Sequence, residues 1–291
     1  MLTDSRTYHL TLGDTEIYGF STGLLGIKQN HYEARSGGRY WRLLRILLSP
    51  QFAPPIPVFV WLIVHPEGIF LIDTGETARA NAPDFFPPGE RGLWQKNFRF
   101  YLDQAHEAGT ILTQIGLQPA DVQTVVLTHA HMDHTDGMNA FPNATILFSA
   151  AELALVNRFG SSAGCVPRQW SKSLTIRGIS YQPDHDRPFE QSYPLTKAGD
   201  LLAIPTIGHT LGHQSILLQK AGVTLLFAGD VSFTDVRLRH KIADGMTTDI
   251  RLLQRTQQQL LDFMAHTPTV YLPTHDPQAG YRLENRVVFG P

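Results

Sequence analysis

The chain has 291 residues, of which 42% are hydrophobic and 17% are charged, and its formal net charge at pH 7 is −2. This balance is typical of a globular protein with a full hydrophobic core, and we expect a single domain over residues 1–291. The lack of a basic excess argues against a nucleic-acid partner. The longest apolar stretch is interrupted at residues 65–68, and each half is shorter than the ~20 residues of a membrane span, so no membrane partner is expected.

The N-terminal residues have neither the basic start nor the apolar centre of a secretory signal. The single cysteine, Cys165, excludes an intrachain disulfide and suits a reducing compartment. The sequence therefore predicts a cytoplasmic protein, with Cys165 as a small buried hydrophobe.

Alternating or continuous apolar runs predict the elements of the first half. Strands are expected near residues 7–12, 16–19, 58–64 and 69–72, then a helical stretch at 98–115, strands at 123–127 and 144–148, and a helix at 150–156. Residues 20–57 are rich in Gly, Pro and aromatic side chains and include "RYWRLLRILL". We expect a substrate-pocket flap at about 20–57, in which this stretch is a short amphipathic helix or a mobile segment.

The second half continues the mixture of strands and helices. Strands are expected near residues 201–205, 214–218, 223–228 and 269–272, with a helix near 248–264. Strands such as "VTLLFAG" are apolar throughout, which is typical of strands buried on both faces. The predicted class is α/β, an αββα sandwich of two mixed β-sheets with helices on the outer faces.

Polar groups that bind metals cluster in "THAHMDHTDG", directly after the apolar run "VQTVVL". Three further segments place such a group just after an apolar strand: "LLAIPTIGHT" ends near His209, "VTLLFAGD" at Asp230 and "TVYLPTHD" near His275. Loops at one edge of a rigid sheet are where sites are commonly built. Four coinciding strand ends therefore predict one metal site, whereas a single His-rich turn would predict little.

Spacing divides the ligands between two ions. His129 and His131 are two residues apart and project to one side of an extended segment. The predicted first set is completed by His209, the second set comprises Asp133, His134 and His275, and Asp230 is predicted to bridge both ions. Three or four N/O ligands per ion leave room for a shared water.

With these residues, the chain resembles the metallo-β-lactamase superfamily, whose binuclear site uses His-x-His-x-Asp-His followed by distant His, Asp and His. "LIDTG" resembles that superfamily's Asp-Thr-Gly turn, which implies a role for Asp73 beneath the metals, next to the ligands. "GHTLGHQSILL", "HTDGMNAFPNATILFSAAE" and "THDPQ" are most similar to the N-acyl-homoserine lactonases that quench quorum sensing. The resemblance implies two divalent ions, with Zn favoured and Mn, Fe or Co left open.

Two positions depart from that resemblance. Lactonases commonly carry a tyrosine three residues after the bridging aspartate, where it hydrogen-bonds the substrate, and this chain has Phe233. A Gly-Gly pair usually follows the ligand motif, and this chain has Asp136-Gly137, which adds a carboxylate near the second metal. Asp136 is expected at the surface or beside the ligands rather than on the metal, and Phe233 is expected to contact the substrate.

Two cations that share one water make hydroxide available at neutral pH and polarise a carbonyl, so hydrolysis of a small lactone or ester is the expected reaction. Asp133 is the predicted catalytic residue because it lies where it can carry a proton to the leaving alkoxide. Four alternatives stay open: a glyoxalase II-like thioester hydrolase, a phosphotriesterase, a mononuclear iron persulfide dioxygenase, and a non-catalytic sensor. A homodimer is also left open.

The remaining polar and aromatic candidates lie near the predicted pocket. His213 is expected to hold the His209 loop through a hydrogen bond, and His185 and His240 lie in loops that can border the pocket. Phe85 and Phe86 either form an apolar wall for an acyl chain or pack on the domain.

Overall fold

The computed structural model describes residues 6–184 and 189–290. Within these residues, the first sheet comprises β1 (Tyr8–Leu12), β2 (Thr15–Ile27), β3 (Ile56–His65), β4 (Gly68–Ile72), β5 (Phe98–Tyr101), β6 (Thr124–Val126), β7 (Thr145–Ser149) and β8 (Thr175–Ile179). The strand order is β1-β2-β3-β4-β6-β7-β8, and β5 pairs with β2. Pairing is antiparallel from β1 to β4 and parallel from β4 through β6 and β7 to β8, so the sheet is mixed.

The second sheet of the described chain comprises β9 (Gln182–Pro183), β10 (Gln191–Pro194), β11 (Leu201–Pro205), β12 (Gln214–Lys220), β13 (Val223–Gly229) and β14 (Thr269–Pro273). Its order is β14-β13-β12-β11-β10-β9. The β13–β14 pair is parallel and the others are antiparallel, so β11, β13 and β14 all point the same way.

The helices of the described residues are α1 (Gln29–Tyr32), α2 (Arg39–Leu48), α3 (Arg91–Asn97), α4 (Ala108–Gln114), α5 (Met132–Thr135), α6 (Ala150–Phe159), α7 (Asp235–Arg239), α8 (Ile250–His266) and α9 (Ala279–Asn285). Short polar side chains cap several of them. Ser149 accepts from Glu152 N at the start of α6, and Asp249 accepts from Leu252 N at the start of α8. Such caps satisfy backbone donors that have no partner inside the helix.

Strand β3 shows why the layers form. Alternate side chains of a strand point to opposite faces, and Trp61 and Ile63 enter the core between the two sheets while Val60 and Leu62 face the outer layer that contains α4. A third apolar cluster joins the outer face of the second sheet to α8. Trp61 is 1% exposed, and its replacement by Ala would cost about 3–5 kcal/mol of stability. The predicted αββα sandwich is thus confirmed.

Several predicted boundaries were wrong. Strand β2 continues to Ile27, so residues 20–27 of the predicted flap are regular sheet. "RYWRLLRILL" is helix α2, in agreement with one of the two predicted alternatives. The stretch predicted as helical at 98–115 begins as strand β5 and becomes helix only at Ala108. Strands β8, β9 and β10 were not predicted, because their exposed and alternating residues carry no strong apolar pattern.

Candidate metal centre

The seven predicted ligands lie in segments that directly follow strands β6, β11, β13 and β14. Because the last three strands are parallel to one another, their carboxyl ends meet at one edge of the second sheet. The segment after β6 meets them from the first sheet, since Gln214 N donates to Thr128 O at 2.9 Å. This junction of the two sheets holds three overlapping groups of His and Asp side chains, each with ligand atoms within 4.8 Å of one another.

The first group consists of three imidazoles. His131 Nδ1 lies 2.9 Å from His129 Nε2 and 3.0 Å from His209 Nε2. His129 and His209 are buried, and His131 is partly buried. Three ring nitrogens that converge at this distance match the predicted first ligand set.

The second group combines a carboxylate with two imidazoles. Asp133 Oδ2 lies 3.4 Å from His275 Nε2 and 3.8 Å from His134 Nε2. All three residues are buried. These are the residues that the sequence assigns to the second ion.

Asp230 lies between the two groups and is 3% exposed. Its Oδ2 is 3.6 Å from His209 Nε2 and 3.3 Å from His275 Nε2, and its Oδ1 is 3.5 Å from His134 Nε2. The two carboxylate oxygens therefore face members of both groups, which is the arrangement that a bridging ligand needs.

The donor set fits divalent cations. Among the described residues, His134 Nε2 and Asp230 Oδ1 are buried without any hydrogen-bond partner. Buried polar atoms left without a partner cost about 1–3 kcal/mol each, so native proteins rarely contain them without a reason. Imidazole nitrogens and carboxylate oxygens together are the ligands that Zn and related ions take in proteins. Bound cations would satisfy these atoms.

The outward nitrogens of three imidazoles are held by hydrogen bonds. His209 Nδ1 lies 2.9 Å from Asp244 Oδ2, His134 Nδ1 lies 2.8 Å from Asp73 Oδ2, and His275 Nδ1 lies 2.8 Å from the Pro57 carbonyl oxygen. An Nδ1–H donated in each case directs Nε2 at the centre. Such outer contacts orient metal ligands and raise their basicity.

Asp73 lies beneath the centre, the place that the resemblance implied. It has a φ of 59°, a left-handed conformation that Asp tolerates better than most residues. Its Oδ1 accepts from Thr128 N at 2.8 Å, and its Oδ2 accepts from Thr128 Oγ1 at 2.9 Å. Asp73 thus connects the turn after β4 to the start of the ligand motif.

Sequence reasoning missed Asp244, the Pro57 carbonyl and Glu152. Glu152 is 2% exposed, accepts from Ala130 N at 2.9 Å and from Thr210 Oγ1 at 2.7 Å, and so joins two ligand loops. Its one sequence signal is a carboxylate in the first turn of α6, which is also expected of an ordinary helix start. The partners of these groups lie 22 to 218 residues away in the chain, so no local pattern could reveal them.

The carboxylates also set the charge of the imidazoles. Burial opposes protonation of His209, but Asp244 raises its pKa to about 8. Against the same opposition from burial, the surrounding aspartates raise the pKa of His134 and of His275. Burial and neighbouring imidazoles hold the pKa of His129 and of His131 well below the usual range. Without metal, the centre therefore contains both neutral and protonated imidazoles, and the protonated ones must release a proton when they bind a cation.

Two other predicted residues, His213 and Phe233, lie at the centre, whereas Asp136 lines a different cavity. His213 Nε2 accepts from Asp230 N at 3.0 Å and Nδ1 lies 2.9 Å from Thr206 Oγ1, so it positions the bridging residue as well as its own loop. Phe233 is 3% exposed, and its ring centroid lies 4.7 Å from that of His275. Asp136 is buried rather than at the surface, and it belongs to none of the ligand groups of the described residues.

The remaining predictions had mixed outcomes. Phe85 and Phe86 are buried against Met132 and Val166 and do not line the cavity at the metal centre, so the packing alternative holds. His240 is exposed and does not line that cavity either. His185 lies outside the described residues.

A cavity opens onto the ligand groups. Its walls are mostly apolar and come from strands of the first sheet, from helices α3 and α5, and from the loops that follow the strands of the second sheet. They comprise Leu25, Ile27, Ile56, Trp94, Phe98, Met132, Phe233 and Met246. Residues 25, 27 and 56 belong to the segment predicted as a substrate flap. No helix of the described chain is long and apolar enough to cross a membrane.

Comparison with known proteins places the chain in a family. The family model described as the metallo-beta-lactamase superfamily matches residues 53–275. The N-acyl homoserine lactonase AttM of Rhizobium radiobacter is 27% identical over 272 residues, which cover 91% of this chain and 95% of AttM. Most of the chain therefore has a counterpart in this relative.

Two solved structures share the fold. An N-acyl homoserine lactone hydrolase with the product N-hexanoyl-L-homoserine bound at its catalytic metal centre has a TM-score of 0.71 at 19% identity, covering 92% of this chain and 95% of that one. AidC, a dizinc quorum-quenching lactonase, has a TM-score of 0.66 at 18% identity, covering 94% of this chain and 92% of that one. The chain therefore belongs to the metallo-beta-lactamase superfamily and is a metal-dependent hydrolase.

Proposed function

We propose that this metal-dependent hydrolase opens the ring of lactones, with N-acyl homoserine lactones as its substrates. The observation that carries the proposal is the two neighbouring ligand groups with Asp230 between them, at the end of an apolar cavity. The extended match to a protein named N-acyl homoserine lactonase supports the substrate class.

The ligand residues form two sets, and each set would bind one zinc ion. His129, His131 and His209 would hold one ion, Asp133, His134 and His275 the other, and Asp230 both. When bound, the pair of ions supplies a water of lowered pKa and polarises the substrate carbonyl. The outer contacts from Asp73, Asp244 and the Pro57 carbonyl keep the imidazoles oriented before substrate arrives.

Asp133 is the proposed proton carrier of the reaction. It is 7% exposed and lines the cavity, so its carboxylate can contact a ligand imidazole and also reach the substrate. The water that attacks the carbonyl gives up a proton, which the Asp133 carboxylate can accept. Ring opening releases an alkoxide, and the protonated carboxyl group beside the cleaved C–O bond can deliver that proton to it.

The cavity walls suit an acylated ring. Aliphatic and aromatic side chains form the walls, and the polar ligand groups lie together at one end. A second apolar cavity continues between α2 and α3, and it shares with the first the residues His31, Trp94, Phe98, Gly164 and Met246. The two cavities together give an acyl chain a path away from the metals, because apolar surface gains free energy on leaving water.

A substrate panel tests the proposal. Purified, zinc-loaded protein is assayed with an N-acyl homoserine lactone, a thioester and a phosphotriester, and acid release is followed by pH-stat. We expect the highest kcat/KM for the lactone. A higher kcat/KM for the thioester or the phosphotriester would show that this class, and not the lactone, is the substrate. No turnover of any panel member would favour a non-catalytic sensor.

Two histidine variants show whether turnover depends on the proposed centre. His131→Ala removes an imidazole of the first group and should abolish lactone hydrolysis, whereas His266→Ala changes an exposed histidine at the end of α8 and should leave it intact. Equal activity of the two variants would show that hydrolysis occurs elsewhere.

A further inference from the structure

The cavity at the metal centre contains a polar side chain that the ligand groups do not use. Within the described chain, His31 and Trp94 are the cavity-lining residues outside those groups that carry a side-chain nitrogen. The indole Nε1 of Trp94 already donates to Glu90 Oε2 at 3.3 Å. His31 is therefore the residue left to offer a polar contact to a bound molecule.

One nitrogen of His31 lacks a partner. His31 is 8% exposed, and its Nδ1 is buried with no hydrogen bond to any described residue. Its ring edge packs against Phe98, with centroids 5.5 Å apart and planes at 89°. A buried donor or acceptor without a partner is destabilising, and a ligand that fills the cavity can supply the missing partner.

The backbone of His31 is tied to the loop that supports the metal centre. Gly245 N donates to His31 O at 2.7 Å, and the preceding residue, Asp244, is the one that holds His209. A Cβ at position 245 would lie 2.1 Å from the Asn30 carbonyl oxygen, so the contact requires glycine. Helix α1 is thereby fixed relative to the ligands, which is the preorganisation that a hydrogen-bond donor needs.

The ring is a neutral donor at neutral pH. Burial lowers the pKa of His31 to about 4, so at pH 7 the imidazole carries one N–H and one unprotonated nitrogen. Phe233, on the cavity wall, has no hydroxyl to serve this purpose.

We propose that His31 donates a hydrogen bond to the reacting carbonyl oxygen of the substrate, as a catalytic residue that touches the substrate without binding metal. The assignment rests on the proposed function, since it requires a carbonyl compound in this cavity. The hydrogen bond strengthens as negative charge develops on that oxygen, so its contribution belongs mainly to kcat.

The kinetic test uses three variants of the zinc-loaded protein. His31→Phe keeps an aromatic ring against Phe98 but removes the donor, and His31→Asn places an amide near the position of Nδ1. His266→Phe is the matched control, because it makes the same substitution at an exposed histidine at the end of α8 that lines neither cavity. We expect His31→Phe to lower kcat on the lactone about a hundredfold and to raise KM by no more than about tenfold. His31→Asn should recover part of the loss, and His266→Phe should stay near the parent value.

Metal content and ligand binding separate this proposal from the proposed function. Each variant is analysed for zinc, which should equal that of the parent. Calorimetry then measures binding of a γ-lactam analogue, in which the ring oxygen is replaced by NH. His31→Phe should weaken binding about threefold to tenfold, the worth of one neutral hydrogen bond.

Lactam binding decides the role of His31 even if the parent hydrolyses no member of the panel, which would overturn the proposed function only. Equal lactam affinity in the parent and His31→Phe, or no lactam binding by the parent, would overturn the role of His31. So would a kinetic loss confined to KM, or one that accompanies loss of zinc.

Discussion

The replacement of Asp244 by Asn tests whether the geometry of the metal centre depends on residues that do not touch the metals. Asp244 is 4% exposed and acts only as an acceptor. Its Oδ2 faces His209 Nδ1 at 2.9 Å and accepts from Thr247 Oγ1 at 2.6 Å, and its Oδ1 accepts from the backbone N–H of Met246 and of Thr247. Asn places an NH₂ group at one of these two positions, where it meets donors instead of acceptors.

The cost of Asp244→Asn follows from these contacts. If the amide NH₂ faces His209, the imidazole must accept at Nδ1 and carry its proton at Nε2, the nitrogen directed at the centre. Removal of such an outer partner lowers metal affinity about tenfold to a hundredfold. This loss corresponds to about 1.4–2.7 kcal/mol.

Chelator competition measures this loss directly. Zinc is titrated into the parent and the variant in the presence of a chelator of known affinity, and the dissociation constant of each site is fitted. We expect the weakened site to be the one that contains His209, with the other site changed less.

Asp200→Asn provides a matched control. Asp200 Oδ2 lies 3.1 Å from Nε2 of His65, the last residue of β3. Ile56, the first residue of the same strand, lines the cavity. The two ends of this ten-residue strand are about 30 Å apart. This variant should bind zinc like the parent. Unchanged affinity in Asp244→Asn, or an equal loss in both variants, would refute the reasoning.

Three further predictions follow. Phe233→Tyr adds a donor to the cavity wall and should raise kcat on lactones, more strongly in the His31→Phe background; a lower or unchanged kcat in both backgrounds would contradict this. Asp230→Asn should weaken metal binding at both sites and reduce activity far more than Asp136→Asn does. Equal losses of metal content and of turnover in the two variants would show that Asp230 is not the bridging ligand. Burial opposes protonation of His209, yet its pKa of about 8 leaves it about nine-tenths protonated at pH 7 without metal. Zinc binding should therefore release this proton at pH 7 and release less at pH 9. Calorimetric heats at pH 7 that do not depend on the ionisation enthalpy of the buffer would contradict that release.

The same pKa predicts how the metal-free protein responds to pH. The folded pKa of His209 is raised above the usual 6.5, so its pairing with Asp244 stabilises the fold most below pH 6.5. This contribution is lost as pH rises through about 8. Thermal unfolding of metal-free Asp244→Asn should therefore show a smaller loss of Tm than the parent between pH 6.5 and pH 9, and parallel losses would be inconsistent with the pairing.

The fold class and the proposed ligands could be predicted because both follow from strands that are buried on both faces. Strands buried on both faces are continuous apolar runs, and the polar residue that ends each run is conspicuous. His129, Asp230 and His275 each follow such a run, and the structure brings them to one site. The HxHxDH spacing then separates two ligand groups within a single loop.

Other parts could not be predicted because their determinants are tertiary. Strand β5 forms by pairing with β2, about seventy-five residues away in the chain, against a local sequence that resembles a helix. Asp244 and the Pro57 carbonyl are defined by their distant partners, and His31 by the cavity that surrounds it. Asp136 was expected either at the surface or beside the ligands, and it is buried near Glu76, where burial raises its pKa to about 7.

Metal stoichiometry measured together with the reaction product tests the central claim most directly. Elemental analysis of the zinc-replete protein is combined with pH-stat and oxygen-electrode recordings on an N-acyl homoserine lactone. The ligand groups predict about two zinc ions per chain, one acid released per lactone opened and no oxygen consumed. A single metal per chain, with oxygen consumption in place of acid release, would contradict the binuclear lactonase.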